Sequence, residues 1–328
     1  MTPSRADELG VNDYGFRASR VAVRLAAVYL AALVLVALIA PLLANDEPLA
    51  MHTRSGWVLP FLRNRLAADA LVRSAGAGAM VVHAPVPFSP NSIDLTRRLE
   101  PPSKSHLLGT DELGRDVLSR MIHGSRVSVT VGVCATAIAL LVGILLGSLA
   151  GYYGGGVDWI ISRLIEIVLC FPLLVLVLAI VALMRPSVLT IVIALGITGW
   201  PNEARFIRGE FLKVREMEFA QAARATGAGD VRIMFRHILP NALAPVVVSA
   251  SFGVASAILV ESALSFLGFG VPLPMPSWGS ILSAANQFVG HAWWLALFPG
   301  VAIFLTVAAC HLIGDRFREA LDPTLRGI

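Results

Sequence analysis

The sequence is short of charge, of lysine and of cysteine. Of its 328 residues only 15% are Asp, Glu, Lys or Arg, 56% are hydrophobic, and the mean hydropathy is +0.74. A soluble domain of this length cannot cover its surface with so few charges, which excludes that class and leaves an integral membrane protein. Lysine occurs twice, as Lys104 after Ser103 and Lys213 after Leu212. No glycine-rich loop therefore ends in Gly-Lys, and a nucleotide's phosphates have no such cradle on this chain. Cys134, Cys170 and Cys310 each fall inside an apolar run without ligand-like spacing. That excludes a disulfide framework and a zinc site, and reads instead as small buried apolar residues. HExxH, a nucleophile elbow and a paired-Cys motif are all missing, and His52, His83, His106, His123, His237, His291 and His311 are scattered along the chain. An intramembrane enzyme is therefore a poor reading, and no catalytic, metal or cofactor site is expected. The formal charge of +4 comes from basic residues that form no stripe with interleaved aromatics, so it reports orientation in a membrane and not a nucleic-acid partner.

What is present is a series of apolar runs. Arg5, Arg17, Arg20 and Arg24 precede the run 25–44, which is long enough to cross a hydrocarbon core once, and the basic flank places the N-terminus in the cytoplasm. A cleaved signal peptide competes for this pattern, but the run's length favours an uncleaved first span. Residues 45–126 are polar, irregular and rich in proline and arginine, and are expected to fold on the outer face; a segment this long translocates despite its arginines. Further spans are expected at about 127–151, 160–184, 186–207, 242–264 and 293–314. Between them, Arg205, Arg208, Lys213, Arg215, Arg224, Arg232 and Arg236 place one loop inside, while the loop 268–291 has no Lys or Arg and lies outside. The expectation is an all-α membrane protein of six transmembrane helices with both ends cytoplasmic. Residues 1–44 form the N-terminus and first helix, 45–126 an extracytoplasmic insert, 127–314 a five-helix core that includes the loop 215–241, and 315–328 a cytoplasmic tail.

Within that frame several stretches stand out. In 106–126, Asp116 is a candidate N-cap for a short interfacial helix with Val117, Leu118, Met121 and Ile122 on one side and Gly124 at its end. Asp111, Glu112 and Asp116 make a conceivable metal site, but carboxylates beside arginines pair with them or with helix N-termini more readily. Gly143, Gly147 and Gly151, four apart, form a small-residue stripe for helix packing. Residues 152–158, YYGGGVD, form a tight turn. The intramembrane carboxylates are Glu166, for which pairing with a neighbouring helix, with Arg163 snorkelling to the interface, is favoured over substrate contact, and Glu261. Pro272, Pro274, Pro276 and Trp278 suggest a rigid, re-entrant or interfacial outer loop.

The segment 218–241, EFAQAARATGAGDVRIMFRHILPN, is a charged island of two short amphipathic patterns. Phe219, Ala222, Ala223 and Thr226 line one face of the first; Val231, Met234, Phe235 and Ile238 line the second, opposite Arg232 and Arg236. Gly227 and Gly229 stop the first helix, Asp230 is a plausible N-cap for the second, and Leu239-Pro240 ends it. Residues alone give a docking surface; an amphipathic loop lying on the membrane is the plainer alternative.

The spacing Gln221-Ala222-Ala223, three residues, Gly227, then Leu239-Pro240 resembles the EAA loop of permease subunits in binding-protein-dependent ABC importers. Two departures are Gln221, where that family most often has glutamate, and His237, where many members have isoleucine. GTDELGRD at 109–116, LSFLGFG at 264–270 and SWGSIL at 277–282 resemble the dipeptide, oligopeptide and nickel branch, and the outer segment 44–95 its oligopeptide and microcin C subset. The resemblance implies that Phe219, Gln221, Ala222, Ala223, Gly227, Asp230, Leu239 and Pro240 couple the chain to ATPase subunits. It also implies a homologous permease partner, two ATPases carrying ATP and Mg, an external binding protein, a peptide substrate and a place in the bacterial inner membrane. A nickel importer is the rival within the family; a proton-coupled secondary transporter, resting on Glu166 and Glu261, is the rival outside it.

Overall fold

The computed structural model describes residues 20–53, 56–58 and 80–321. Long helices dominate it. Helix α1 spans Arg20–Leu43, α2 Val117–Tyr153, α3 Gly155–Leu169, α4 Leu173–Leu183 and α5 Val188–Val214. The short α6, Glu218–Ala225, is followed by α7, Asp230–Arg232, which runs without a break through a π-helical stretch, Ile233–Ile238, into α8, Leu239–Phe266. Helices α9, Trp278–Ala285, and α10, Trp294–Leu321, complete the order.

Length and composition let α1, α2, the Pro245–Phe266 part of α8, and α10 cross a membrane; α3 and α4 add a fifth crossing if that pair, bent by 83°, counts as one. The pair replaces the single straight span expected at about 160–184. Pro172 is the cause: it has no amide hydrogen to donate and disfavours helical geometry at Phe171, so the helix breaks and restarts at Leu173. Helix α5 is equally long, but its second half carries Asn202, Glu203, Arg205 and Arg208, and it is not among these candidates.

Helix α2 is the axis of the fold and outruns its expected limits. Asp116 caps it, with Oδ1 accepting from the Ser119 amide at 2.7 Å. Gly124 does not end it, because the apolar sequence beyond keeps the backbone ladder intact; a Cβ at Gly124 would instead lie 3.2 Å from the Trp278 ring. The stripe Gly143, Gly147 and Gly151 faces α5: added Cβ atoms would stand 2.5 Å from Glu203 Cβ, the Ala204 carbonyl and Phe211 Cβ respectively. Any side chain there would force the two helices apart. Helix α1 joins this core through buried Ala26, Ala37 and Ala40, and Tyr29 hydrogen-bonds Thr306 of α10 at 3.0 Å. Cys310 is buried, whereas Cys134 on α2 and Cys170 in the turn after α3 are exposed, contrary to expectation; an apolar run in a membrane span buries residues against lipid as well as protein.

The region expected to be irregular contains a small antiparallel sheet in which β1, Ala50–Thr53, lies between β2, Gly56–Val58, and β3, Met80–Val82. Met51 pairs with Val58 on one side and Val81 on the other. Beyond it a charged belt closes this end of α2. Asp111 accepts from Arg115 Nε at 2.7 Å and lies 3.4 Å from Arg120 Nε, while Glu112 takes Arg115 at 3.1 Å and Asp116 pairs with His106 at 2.8 Å. Trp294 Nε1 donates to the Thr110 carbonyl at 3.1 Å, and Trp278 Nε1 to that of Met121 at 3.2 Å. Arg5 and Arg17, the stretch between β2 and β3, and the end of the tail lie outside the described residues.

Candidate functional site: a docked loop and a membrane cavity

The loop 215–241 closes the opposite end of α2. Helix α6 stops in a Schellman arrangement: the Gly227 amide donates to the Arg224 carbonyl at 2.9 Å and the Ala228 amide to that of Ala223 at 3.2 Å. Gly227 has φ +78°, which L side chains rarely adopt, and the space where its Cβ would project is open. Gly229, with φ −68°, is the residue that precedes α7. Asp230 is thus already inside the helix and is not the expected N-cap; its Oδ1 accepts from the Tyr152 hydroxyl at 2.7 Å. Nor does Leu239-Pro240 end the helix. Pro240 falls just after the π-helical stretch, where the altered hydrogen-bond spacing accommodates a residue without an amide hydrogen, and the chain continues into α8.

The same stretch re-aims the side chains. Ala220, Ile233, Met234 and Ile238 are buried against Tyr152, Ile207, Phe211 and Val214. Phe219, Gln221, Ala222, Val231 and Phe235 are exposed, with Ala223 and Leu239 half-buried and Pro240 exposed. The expected apolar stripes are therefore divided: Met234 and Ile238 turn inward with Ile233, while Val231 and Phe235 face out. A wide turn shifts the helical phase, so regular 3.6-residue spacing misassigns these positions. Polar tethers hold the loop to the end of α2, and α5 to the start of α3. Arg215 donates to the Gly151 carbonyl at 2.9 Å, Arg224 lies 5.4 Å from the Tyr152 ring centroid, and Arg208 grips Asp158 through two hydrogen bonds.

The carboxylates within the helices differ in their surroundings. Glu166 is paired at 2.5 Å with Arg163 on the same helix, not with a neighbouring one, and both are 55% exposed. Glu261 is fully buried and accepts from Ser265 at 2.7 Å and Ser128 at 3.2 Å, a polar knot beside Ser277 and Trp278 that ties α8 and α9 to α2. A third, Glu203 of α5, was absent from the expected set although it lies inside the run 186–207. It accepts from Ser249 Oγ of α8 at 2.8 Å and lines a cavity of about 340 Å³ between α2, α5 and α8. A carboxylate in an apolar run was the signal that marks it.

A bundle of membrane-length helices, with a structured loop packed on one end and a carboxylate lining a cavity between the helices, has the architecture a transport permease needs. The chain belongs to the family described as binding-protein-dependent transport system inner membrane component, which matches residues 143–327. It is 42% identical over 266 residues to the dipeptide transport system permease protein DppC of Alkalihalophilus pseudofirmus, covering 80% of this chain and 88% of that one. It is 43% identical to the di/tripeptide permease protein DppC of Pseudomonas aeruginosa, covering 73% and 81%, and 42% identical to the glutathione permease protein GsiD of Pectobacterium atrosepticum, covering 72% and 78%. Among solved structures, a chain of the inward-facing MetNI methionine ABC transporter has the same fold, with a TM-score of 0.53 at 17% identity over 62% of this chain and 97% of that one. The protein is therefore a multi-pass permease subunit of an importer, not itself an enzyme.

Proposed function

We propose that this chain carries short peptides across the bacterial inner membrane as one of two homologous permease subunits, with two ATPase subunits that hold ATP and Mg and an external peptide-binding protein. Relatives named for dipeptides, di/tripeptides and glutathione favour peptides over nickel. Helix α5, held to α2 by the glycine stripe, serves as the sixth span, both termini lie in the cytoplasm, and the sheet-bearing insert lies outside.

The observation that carries this reading is the two-sidedness of the loop 218–241. Ala220, Ile233, Met234 and Ile238 anchor it in the helical core, while Phe219, Gln221, Ala222 and Phe235 stay open to a partner. An ATPase gripping the open side moves the anchored side with it, and Tyr152 and Arg215 pass that motion to α2. Only the difference in ATPase contacts between two states can drive such a shift. The test is G227W. Its Cβ projects into open space, so the permease pair stays assembled, yet the bulk and the strained φ disrupt the docking surface. Import is expected to stop; import at the normal rate would refute the coupling role.

A further inference from the structure

We propose that the cavity between α2, α5 and α8 is a substrate subsite in which the carboxylate of Glu203 receives the protonated amino terminus of a passing peptide. The proposal rests on the importer reading above and adds a ligand group and a residue to it.

Position comes first. Glu203 lies roughly 22 Å along α5, a helix of roughly 40 Å, within the apolar run 186–207 and where α5 packs against Gly143 of α2 and Ser249 of α8. An ionisable residue in such a run pairs with a cation, faces water or serves a ligand. Among the described residues no Lys, Arg or His lies within ion-pair distance of it. Its Oε2 accepts from Ser249, and Oε1 is without a hydrogen-bond partner among the described residues. Glu166 has Arg163 and Glu261 has its serines, so Glu203 differs from both.

The cavity has the size and lining of a ligand site. Its volume of about 340 Å³ falls within the ~300–1,000 Å³ of small-molecule pockets. Thr136, Asn202, Ser249 and Ser256 are the other polar residues of the wall, Ser249 at the carboxylate itself, and the rest of the wall is small or apolar, with no basic residue. Asn202 and Ser256 are exposed at its open side. Polar groups on membrane-length helices are costly against acyl chains, which favours water or protein over lipid on that side. The glycine stripe sets the geometry: the absent Cβ of Gly143 lets α2 meet the stem of Glu203.

One negative group without a basic neighbour attracts an ammonium and repels a carboxylate. Among peptide groups it therefore selects the amino end, which free dipeptides, tripeptides and glutathione all possess whatever their side chains. A single charge-assisted contact also suits a path that must release its cargo, since conduction requires binding that favours entry without trapping.

The test uses the whole importer in liposomes, with the binding protein saturated either with a dipeptide or with its desamino analogue, and reads the ratio of their uptake rates. The wild type is expected to prefer the amine, and E203Q to lower that ratio about 10-fold, as the loss of a charge-assisted contact implies. N202K, at an exposed wall position, places a cation beside the carboxylate without disturbing helix packing and is expected to lower the ratio as well. An unchanged ratio in either variant, or an equal fall in both uptake rates, would overturn the subsite. Wild-type import of neither compound would instead refute the peptide-importer reading on which it rests.

Discussion

The two ends of α2, roughly 55 Å apart, are built on opposite plans. At the Asp116 end, charges are buried and paired: the side chains of Asp111, Arg115 and Arg120 are 2%, 7% and 3% exposed, and two tryptophan N–H groups bind backbone carbonyls. At the Tyr152 end, a loop with exposed Phe219, Val231 and Phe235 is held by a buried apolar face and a few partly exposed polar tethers. One end is locked, because no buried charge there can move without losing its partner. The other end fixes no buried ion pair: its polar tethers are partly exposed and its anchor is an apolar face. The coupling proposed above, a lever fixed at one end and driven at the other, calls for this asymmetry.

The strongest way to break the comparison is at the locked end. D111A leaves Arg115 and Arg120 buried without their shared carboxylate, a loss of about 3–5 kcal/mol. Thermal unfolding of the purified assembly is expected to show a large drop in stability; an unchanged transition would mean that this end is not locked. A finer test lies at the other end. Y152F removes the hydroxyl bonded to Asp230, a loss of about 1 kcal/mol that water partly restores. Stability is expected to change little while the number of peptides imported per ATP falls. Unchanged coupling would show that this tether transmits nothing.

Much of the helical layout was legible in the sequence, because apolar runs of membrane length admit few alternatives. Asp116 was legible as a cap, since a short acceptor just before an apolar helix has one obvious use. The bend at Pro172 had its cause in plain view, but the hydropathy of both halves concealed it. The loop was harder. A π-helical stretch leaves no mark in a 3.6-residue pattern, so that pattern groups Phe235 with Met234 and Ile238 on one face, and Asp230, just after the glycine turn, has a nearer role as a cap than as a partner of distant Tyr152. Glu203 is not among the expected site residues: no motif surrounds it, and only the fold, which pairs nearby Arg208 with Asp158, shows Glu203 facing a cavity.

The central claim is that force generated on another chain enters through the segment 218–241. Crosslinking from Phe219→Cys, on the exposed side of α6, tests it most directly in cells that are importing peptide. The account predicts a crosslinked product containing an ATP-hydrolysing subunit, with a yield that changes between nucleotide-bound and nucleotide-free states. A crosslink pattern containing no such subunit in active cells would contradict it.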